Sequence, residues 1–306
     1  MFNLLAGRTN RMILFRFFAQ LPFSFLYVLS DILFILGYYI VRYRRTLVRR
    51  NLSNSFPEKL PQEISIIEKE FYHNLSDYAV ETLKLFTIKK EELMQRVIFK
   101  NVEAFDGYVK KDQPVLILTS HQFNWEWLLA SGNFSLSAPI DFVYQPLNNK
   151  IVDRFLLTCR TRFGAHAIKR NELAREIVKR KNIVRGVAIV SDQYPGKKRD
   201  KRHVTTFLHQ ETAFFYGTQQ LASLTQYPVI YAAMKKIKRG YYEVSFVPLT
   251  EPPYEKENNI ILERYVKAAE KVIREYPAGW LWSHNRWKKR HLMQVSEKYP
   301  PASTAS

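Results

Sequence analysis

The segment PVLILTSHQFNWEWLLASGN, residues 114–133, predicts a strand, a polar loop and a helix in succession. Residues 115–118 form a short aliphatic run after a turn-forming KKDQP sequence, which is typical of a buried strand. Residues 125–130 are mostly apolar and follow Asn124, a residue type that favours helix N-caps. Because ligands and catalytic groups collect at the carboxyl ends of strands in α/β sheets, the loop between this strand and this helix is a candidate site.

This candidate site contains His121 in the loop and Glu126 five positions later. On one continuous helix, residues five apart point about 140° away from each other, so the two side chains would not meet. They can meet when His121 lies outside the helix and Glu126 lies in its first turn. The carboxylate would then hold one imidazole nitrogen and leave the other to take a proton from a hydroxyl. The alternative is a loop histidine and a glutamate that only favours the helix N-terminus.

The composition is that of a globular chain with a strong positive charge. Its 306 residues are 46% hydrophobic and 14% aromatic, which excludes general disorder. A net charge of +19 favours anionic partners, namely nucleic acid, an anionic membrane or acidic proteins. The sequence contains no RNA-recognition motif, Gly-x-x-Gly loop or zinc knuckle, so nucleic acid is not a predicted partner.

The cysteine and histidine content predicts no metal site. The single cysteine, Cys159, excludes an internal disulfide and a cysteine-based zinc site, and we interpret it as a small buried residue. The seven histidines include no His-Glu-x-x-His pattern. His203 and His209 form only a weak candidate pair of ligands.

The first part of the chain, residues 1–45, is predicted to anchor the protein to a membrane. Residues 1–20 mix apolar side chains with three arginines, as an amphipathic segment at a membrane surface does. Residues 21–41 have Asp31 as their only charge, and as a helix of about 31 Å they could cross a bilayer core of about 30 Å. Five arginines follow and predict a cytoplasmic position for this flank: Arg42, Arg44, Arg45, Arg49 and Arg50.

Asp31 leaves the orientation of this anchor open. A carboxylate in the middle of a membrane span is costly. Residues 21–41 therefore either span the bilayer or lie at its interface with Asp31 on the side that faces water. A buried hairpin of core helices is the soluble alternative.

The rest of the chain, residues 46–306, is predicted to be one α/β domain. Residues 46–100 form a helical lead-in, because apolar residues recur in them at helical spacing. From residue 101 onward strand and helix patterns alternate. A second buried strand is predicted at residues 184–191, VRGVAIVS, and Asp192 follows it. We therefore predict a mixed sheet flanked by helices.

Six motifs in order resemble those of the late lipid A acyltransferases, the lauroyl and myristoyl transferases of lipopolysaccharide synthesis. The motif HQFNWE is similar to the family's His-x4-Asp/Glu signature, and WSHNRWK to its Trp-x-His-x-Arg-aromatic-Lys ending. The resemblance covers nearly the whole chain and implies a fold like that of the glycerolipid acyltransferases. The six motifs are RRNL (49–52) with FPE (56–58), HQFNWE (121–126), YQPLNN (144–149), RTR (160–162), DQ (192–193) with GT (217–218), and WSHNRWK (282–288).

This resemblance implies transfer of a fatty acyl chain from acyl carrier protein to a hydroxyl of a lipid A precursor. It implies an anchor in the bacterial inner membrane and an active site that faces the cytoplasm. It requires no metal, no cofactor and no covalent intermediate. Two alternatives stay open: the same chemistry on a lysophospholipid or amino-acid lipid, and a non-catalytic basic protein that binds membrane or nucleic acid.

The resemblance also implies roles for single residues. His121 would be the general base, and Glu126 would orient its imidazole and stabilise the charged form. Arg160 or Arg162 would hold the developing oxyanion or a sugar phosphate. The other predicted substrate-binding residues are Asn124, Asp192 and Arg286.

Two of these positions have structural alternatives. The family often carries a second acidic residue shortly after Asp192, where this chain has Gln193, so Asp192 is either a site residue or a residue of a strand-end turn. Arg286 and His284 either bind substrate phosphates or lock the C-terminal segment among aromatic side chains. For His284 we favour the structural role.

A basic loop is the predicted docking site for the carrier protein, because acyl carrier proteins are strongly acidic. The loop contains Lys197, Lys198, Arg199, Lys201 and Arg202. A second basic cluster contains Lys288, Lys289 and Arg290.

Overall fold

A computed structural model of the chain describes residues 15–196, 200–255 and 259–288. Residues 15–20 are helical, and the α-helices that follow are α1 (Phe23–Ile35), α2 (Arg45–Ser55), α3 (Pro61–Lys84), α4 (Lys90–Arg96), α5 (Glu103–Val109), α6 (Trp125–Ser135), α7 (Lys150–Thr161), α8 (Leu173–Lys179), α9 (Gly217–Thr225) and α10 (Ile260–Glu275). Its strands are β1 (Val97–Phe99), β2 (Val115–Thr119), β3 (Ile140–Tyr144), β4 (His166–Lys169), β5 (Gly186–Val190), β6 (Arg202–Phe207), β7 (Gln210–Phe215), β8 (Val229–Lys238) and β9 (Tyr241–Thr250). A π-helical turn, Leu36–Ile40, continues α1.

Seven strands form one sheet in the order β1-β9-β8-β2-β5-β3-β4. The neighbours in this sheet are parallel except β8 and β9, which form an antiparallel hairpin. Strands β6 and β7 pair separately as a second hairpin. Strand β2 lies in the middle of the large sheet and is buried along its length, as its aliphatic sequence predicts. The predicted mixed sheet of an α/β fold is confirmed.

The sheet separates two hydrophobic cores. Leu116 and Leu118 of β2 belong to a core with residues of α9 and α10. Val115 and Ile117 belong to the other core, with residues of α5, α6 and α7. Because successive side chains of a strand point to opposite faces, the continuous apolar run of β2 is buried on both sides of the sheet.

The second predicted strand is shorter than its apolar pattern indicated. Strand β5 begins at Gly186, two residues after the predicted start. Arg185 lies just before it, fully buried, with its Nε 2.8 Å from Asp141 Oδ2. The carboxylate also accepts two hydrogen bonds of 2.9 Å from Arg180. This buried ion cluster lies at the amino end of the parallel strands, opposite the edge that carries His121.

Helix α1 packs along α3. Leu26 and Phe34 of α1 are buried, and Ser30 Oγ donates a hydrogen bond of 2.7 Å to Asp77 Oδ1 of α3. By length and composition the described helical segment Phe23–Ile40 could cross a membrane, which by itself is weak support for an anchor. Residues 1–14 of the predicted surface segment lie outside the described residues, and the division at residue 45 stays a prediction.

Candidate active site

The carboxyl ends of β2 and β5 bring His121 beside Asp192. The two strands are parallel, and their register pairs Thr119 with Val190. His121 comes two residues after Thr119, and Asp192 comes two residues after Val190. The segments that follow the two strands leave the same edge of the sheet side by side. Two residues that are 71 positions apart in sequence therefore meet there.

His121 and Asp192 form a tight pair. Nδ1 of His121 lies 2.5 Å from Oδ1 of Asp192, and the backbone N–H of His121 donates to Oδ2 at 2.9 Å. The indole N–H of Trp280 donates to the same Oδ2 at 2.7 Å. The carboxylate is 2% exposed, while the His121 side chain is 17% exposed. The carboxylate is therefore held from three directions, and the imidazole reaches the surface.

The charge state of Asp192 follows from these contacts. Burial raises the pKa of its carboxyl, but the charge of His121 and the hydrogen bonds from His121 and Trp280 outweigh burial and lower that pKa to about 2. An ionised carboxylate accepts hydrogen bonds and donates none. Nδ1 of a neutral His121 therefore carries the proton, which leaves Nε2 with a lone pair. Nε2 lies 3.3 Å from the side-chain nitrogen of Gln193.

Glu126 has a different partner from the predicted one. Its carboxylate is 1% exposed and accepts two hydrogen bonds from Arg160, Nε to Oε2 at 2.7 Å and Nη2 to Oε1 at 2.6 Å. The indole N–H of Trp125 donates to Oε1 at 3.1 Å. The predicted contact between Glu126 and the imidazole is thus replaced by the contact of His121 with Asp192. The reason is local: Phe123 has a left-handed φ of 46°, and after this bend α6 directs Glu126 toward α7 while His121 stays over β5.

The two predicted arginines occupy different environments. Arg160 lies in the site region, 21% exposed, with Nη1 outside its bidentate contact with Glu126. Burial lowers the pKa of Arg160, but the charge of Glu126 outweighs it and raises that pKa above the ordinary value. Arg162 instead donates from Nη1 to the carbonyl oxygens of Leu85, at 3.0 Å, and of Ile88. Arg162 therefore ties down the segment after α3 rather than pointing at an oxyanion position.

Arg286 has the structural role that the sequence left open. It is fully buried, and its guanidinium donates to the backbone carbonyls of Asp192 and Ala213. It also lies 4.0 Å from the centroid of the Phe214 ring. Burial lowers the pKa of Arg286 to about 10. The enclosed guanidinium holds the backbone at Asp192, and substrate binding by Arg286 stays an untested prediction.

Asn124 and His284 also hold the site together. Asn124 is buried, accepts from the N–H of Trp127 at 3.0 Å as the N-cap of α6, and donates to Glu81 Oε2 at 2.8 Å. Asn124 is therefore a helix cap, as its sequence position predicts, and its substrate contact stays an untested prediction. His284 Nε2 accepts from the backbone N–H of Tyr194 at 3.4 Å. Burial lowers the pKa of His284 to about 4, so its imidazole is neutral near neutral pH.

A small apolar groove lies beside His121. The Trp125 ring, at its rim, has its centroid 5.0 Å from that of His121 and stacks on Tyr78 at 4.1 Å. The backbone carbonyl of His121 accepts a hydrogen bond of 3.1 Å from the backbone N–H of Leu281, which also lines the groove. The groove is lined chiefly by Phe71, Leu75, Tyr78, Trp125, Trp280 and Leu281.

The basic docking loop lies only partly within the described residues. Lys197, Lys198 and Arg199 fall outside them, as do Lys289 and Arg290 of the second cluster. Lys201 and Arg202 are exposed at the start of β6. The prediction that this loop docks a carrier protein stays a prediction.

Sequence reasoning missed two side chains of the site. Trp280 donates to Asp192, and the Trp-rich ending of the chain was its only signal. Tyr78 lies in the middle of α3, where it reads as one more apolar position of an amphipathic helix. Its hydroxyl lies 3.5 Å from Glu126 Oε1, and no local sequence pattern predicts this contact.

The fold and the site define a class of protein: an α/β protein with an imidazole–carboxylate pair at the carboxyl ends of two parallel strands of a mixed sheet, suited to activating a hydroxyl. A sequence profile of the bacterial lipid A biosynthesis acyltransferases matches residues 10–289. The chain belongs to this family, and the resemblance of its motifs is confirmed.

Curated relatives agree with this assignment along most of the chain. The protein is 24% identical to the lipid A biosynthesis palmitoleoyltransferase of Escherichia coli (strain K12), over 90% of this chain and 89% of the relative. The lipid A biosynthesis acyltransferase of Shigella flexneri matches with the same values. The lipid A biosynthesis lauroyltransferase of Escherichia coli (strain K12) is also 24% identical, over 89% of this chain and 88% of the relative.

Proposed function

We propose that this protein moves a fatty acyl chain from acyl carrier protein to a hydroxyl of a lipid A precursor, at the cytoplasmic face of the bacterial inner membrane. Membership of the lipid A acyltransferase family supports the reaction class. The observation that carries the proposal is the His121–Asp192 pair, in which a partly exposed imidazole is held at 2.5 Å by a buried carboxylate. An arrangement of this kind activates a hydroxyl in many acyl-transfer enzymes.

The proposed mechanism uses His121 as general base and then as general acid. Nε2 takes the proton of the acceptor hydroxyl as its oxygen attacks the thioester carbonyl carbon. The tetrahedral intermediate then collapses to the new ester, and the thiolate of the carrier leaves with the proton from Nε2. Asp192 stays ionised, accepts the Nδ1–H bond and stabilises the imidazolium that forms between the two steps.

No covalent acyl-enzyme is part of this mechanism. The only cysteine, Cys159, is buried, and burial raises the pKa of its thiol to about 12. A protonated, enclosed thiol is a poor nucleophile. Direct attack by the acceptor hydroxyl on the thioester is therefore the route that the site supports.

Glu126 and Arg160 have a positioning role in this proposal. The carboxylate fixes the guanidinium through two hydrogen bonds and accepts a third from Trp125, whose ring borders His121. Nη1 of Arg160 is the donor that we assign to an oxyanion or a sugar phosphate of the substrate. In this proposal Glu126 acts on the reaction through Arg160 and Trp125, and not through His121 as its motif spacing predicts.

The apolar groove beside His121 is the proposed entrance for the donor acyl chain. Leu75, Tyr78 and Trp125 offer apolar contacts there, and these side chains would have to move apart to admit a hydrocarbon chain. A thioester whose first methylenes lie in this groove would have its carbonyl next to the imidazole. The basic residues Lys201 and Arg202, with their neighbours in the loop, are the proposed contact for the acidic carrier protein and the reason for a strong salt dependence.

Acyl transfer in detergent tests the proposal. Purified protein is incubated with acyl carrier proteins of several chain lengths and a tetra-acylated lipid A precursor, and product is read by mass spectrometry. We expect His121→Ala to abolish the product and Asp192→Asn to lower kcat by about a thousandfold or more, because the imidazole loses its tautomer and its charge partner. The control Glu270→Gln, on α10, should keep the wild-type rate.

Three outcomes would contradict the proposal in different ways. Wild-type product from His121→Ala would remove the imidazole from the mechanism. An unchanged kcat in Asp192→Asn would remove the pair as its basis. Product from the wild type only when a lysophospholipid or an amino-acid lipid replaces the lipid A precursor would keep the chemistry and change the acceptor.

A further inference from the structure

We infer that α1 lies in the plane of a membrane surface, docked on the α/β domain with its free face in the lipid, and does not cross the bilayer. The inference deepens the membrane association in the proposed function. It does not depend on the transfer reaction.

One face of α1 is built into the domain. Leu26, Phe34 and Tyr38 are at most 5% exposed. They are eight and four residues apart, so they lie on one side of the helix and its π-helical continuation. Phe34 stacks on His73 of α3 with ring centroids 3.5 Å apart. Ser30, on the same face, donates to Asp77. This face is the contact of an ordinary packed helix.

The one charged residue of α1 is also committed to the domain. Asp31 Oδ1 lies 2.6 Å from Nη2 of Arg239, at the tip of the β8–β9 hairpin. Arg239 also contacts Asp77 at 2.7 Å. The carboxylate that would be costly at the centre of a bilayer thus lies beside a cation at the edge of the protein.

These contacts are incompatible with a bilayer-spanning α1. If α1 crossed the bilayer while docked, the length of α3 beside it would enter lipid, with the carboxylates of Glu68 and Asp77 and the sheet behind them. If α1 crossed after undocking, its apolar contacts with α3 would be lost. Asp31 would enter the hydrocarbon without Arg239, and Asp77 would lose its bond from Ser30. A helix in the membrane plane keeps every one of these contacts.

The opposite face of α1 is an exposed apolar stripe. Its residues follow one another at steps of three or four, which places them on one side of the helix. A continuous apolar surface of this kind on a soluble protein marks an interaction site. The stripe consists of Phe25 (64% exposed), Val28 (59%), Ile32 (48%), Leu36 (42%) and Tyr39 (49%).

Charge identifies the occupant of this face as an anionic lipid surface. Exposed arginines follow the stripe directly, in the loop before α2 and along α2 itself, and the whole chain has a net charge of +19. Apolar side chains flanked by arginines are the pattern of a helix that lies in the interface of an anionic bilayer. The exposed arginines are Arg42, Arg44, Arg49 and Arg50.

The same end of the anchor is tied to the active site. Nη1 of Arg44 donates to the carbonyl of Ser283 at 2.9 Å, and Asn51 of α2 donates to the carbonyl of Trp282 at 3.0 Å. This segment directly follows Trp280, which holds Asp192. A membrane-plane α1 would therefore set the height of His121 above the lipid surface, where a lipid hydroxyl is presented.

Thiol labelling in cells separates the two orientations. Asn10→Cys and, as a domain control, Glu263→Cys are each made in a Cys159→Ala background. Each is expressed in a Gram-negative bacterium and treated with a membrane-impermeant maleimide, after outer-membrane permeabilisation and again after lysis in detergent. We expect both thiols to react only after lysis. Labelling of Asn10→Cys before lysis, with the control still protected, would overturn the inference.

Binding to vesicles tests the stripe itself. Val28→Asp/Ile32→Asp is compared with Val178→Asp/Leu224→Asp, which places the same charges on exposed apolar residues of α8 and α9. With vesicles of phosphatidylcholine and phosphatidylglycerol, we expect the first variant to lose bound fraction by at least about tenfold, because two apolar side chains leave the lipid. The control variant, Val178→Asp/Leu224→Asp, should bind like the wild type. Both variants should melt at the same temperature, so that a loss of binding is not a loss of folding.

Two results would overturn the assignment of the stripe to lipid. One is wild-type vesicle binding by Val28→Asp/Ile32→Asp. The other is a wild-type oligomer in gel filtration that this variant alone converts to monomer while no form binds vesicles, which would assign the stripe to a second copy. Because neither assay measures acyl transfer, a failure here is distinct from a failure of the proposed function.

Discussion

At the scale of single residues, the chemistry depends on which carboxylate the imidazole contacts. Asp192 has three donors around it and a pKa of about 2, so it is a permanent anion at the working pH. Glu126 has its own cation, Arg160, and is 1% exposed. The two carboxylates therefore have separate contacts: one holds the imidazole of His121, the proposed base, and the other fixes a guanidinium and the Trp125 ring.

The Glu126–Arg160 pair can be tested through stability. Arg160→Met leaves a buried carboxylate without its cation, and we expect a loss of about 3–5 kcal/mol in the free energy of unfolding. In Glu126→Gln/Arg160→Met the loss should be well below the sum of the single losses, because the unpaired charge is gone. Urea unfolding of the four proteins measures this coupling.

The control for this cycle is the pair Glu270 and Arg274 on α10, 2.8 Å apart and partly exposed. Its coupling should be about 0.3–0.5 kcal/mol, as for other exposed pairs one helical turn apart. Additive losses in Glu126→Gln/Arg160→Met would contradict the assignment of Glu126 to Arg160.

His284 predicts a pH dependence of stability. Burial lowers the pKa of its imidazole to about 4, below the ordinary 6.5, so the unfolded chain takes up this proton first. The stabilisation is present above the unfolded pKa and is lost as the pH falls through about 4. Between about pH 7.5 and about pH 5, we expect the wild type to lose about 1–2 kcal/mol more than His284→Asn. The exposed His209→Asn should lose as much as the wild type, and equal losses in all three proteins would contradict the prediction.

At the scale of elements, the site depends on how α6 begins. Asn124 caps the helix through Trp127 and at the same time donates to the buried Glu81 of α3. Glu81 also accepts from Tyr242 of β9 at 2.7 Å. Burial raises the pKa of Glu81 to about 7. One asparagine therefore fixes the first turn of α6, which carries Glu126, to both α3 and the sheet.

Removal of this cap should cost more than removal of an ordinary one. Asn149 caps α7 through the N–H groups of Ile151 and Val152, in an exposed position. We expect Asn149→Ala to cost about 1 kcal/mol in unfolding free energy. Asn124→Ala should cost about 2–3 kcal/mol, because a buried acceptor on Glu81 also loses its donor. Urea titrations of both variants decide the matter, and equal losses would argue against the link to Glu81.

At the scale of the whole molecule, Asp77 joins three elements that are far apart in sequence. The carboxylate is 3% exposed and accepts from Ser30 of α1, from Lys236 Nζ of β8 at 3.1 Å, and from Arg239 Nε at 2.9 Å. It therefore attaches α1 to α3 and to the β8–β9 hairpin. Without this carboxylate, the cations of Lys236 and Arg239 would repel each other, and Ser30 of α1 would lose its hydrogen bond.

We expect Asp77→Ala to lower the free energy of unfolding by about 3 kcal/mol and to loosen α1. Looser docking would make the chain near the exposed Arg42 and Arg44 more flexible, so limited trypsin treatment should cleave there several times faster than in the wild type. Mass spectrometry of the first fragments measures this rate. Glu263→Ala, an exposed carboxylate of α10, is the control, and equal cleavage of the two variants would contradict the prediction.

Local sequence patterns were sufficient for much of this molecule. The aliphatic run of β2 predicted a buried strand, and Asn124 predicted the start of α6. The spaced motifs predicted the lipid A acyltransferase family, and the profile match over residues 10–289 confirms it. These features are readable because burial, capping and motif spacing act within a few residues of the chain.

The pairing of charged side chains was decided only by the tertiary structure. Asp192 reaches His121 through the parallel register of β2 and β5, and Arg160 reaches Glu126 through the packing of α7 on α6. The burial of Arg286 and the docking of α1 on α3 arise in the same way. Sequence spacing cannot rank such partners, because a contact between distant residues depends on sheet order, strand register and helix packing together.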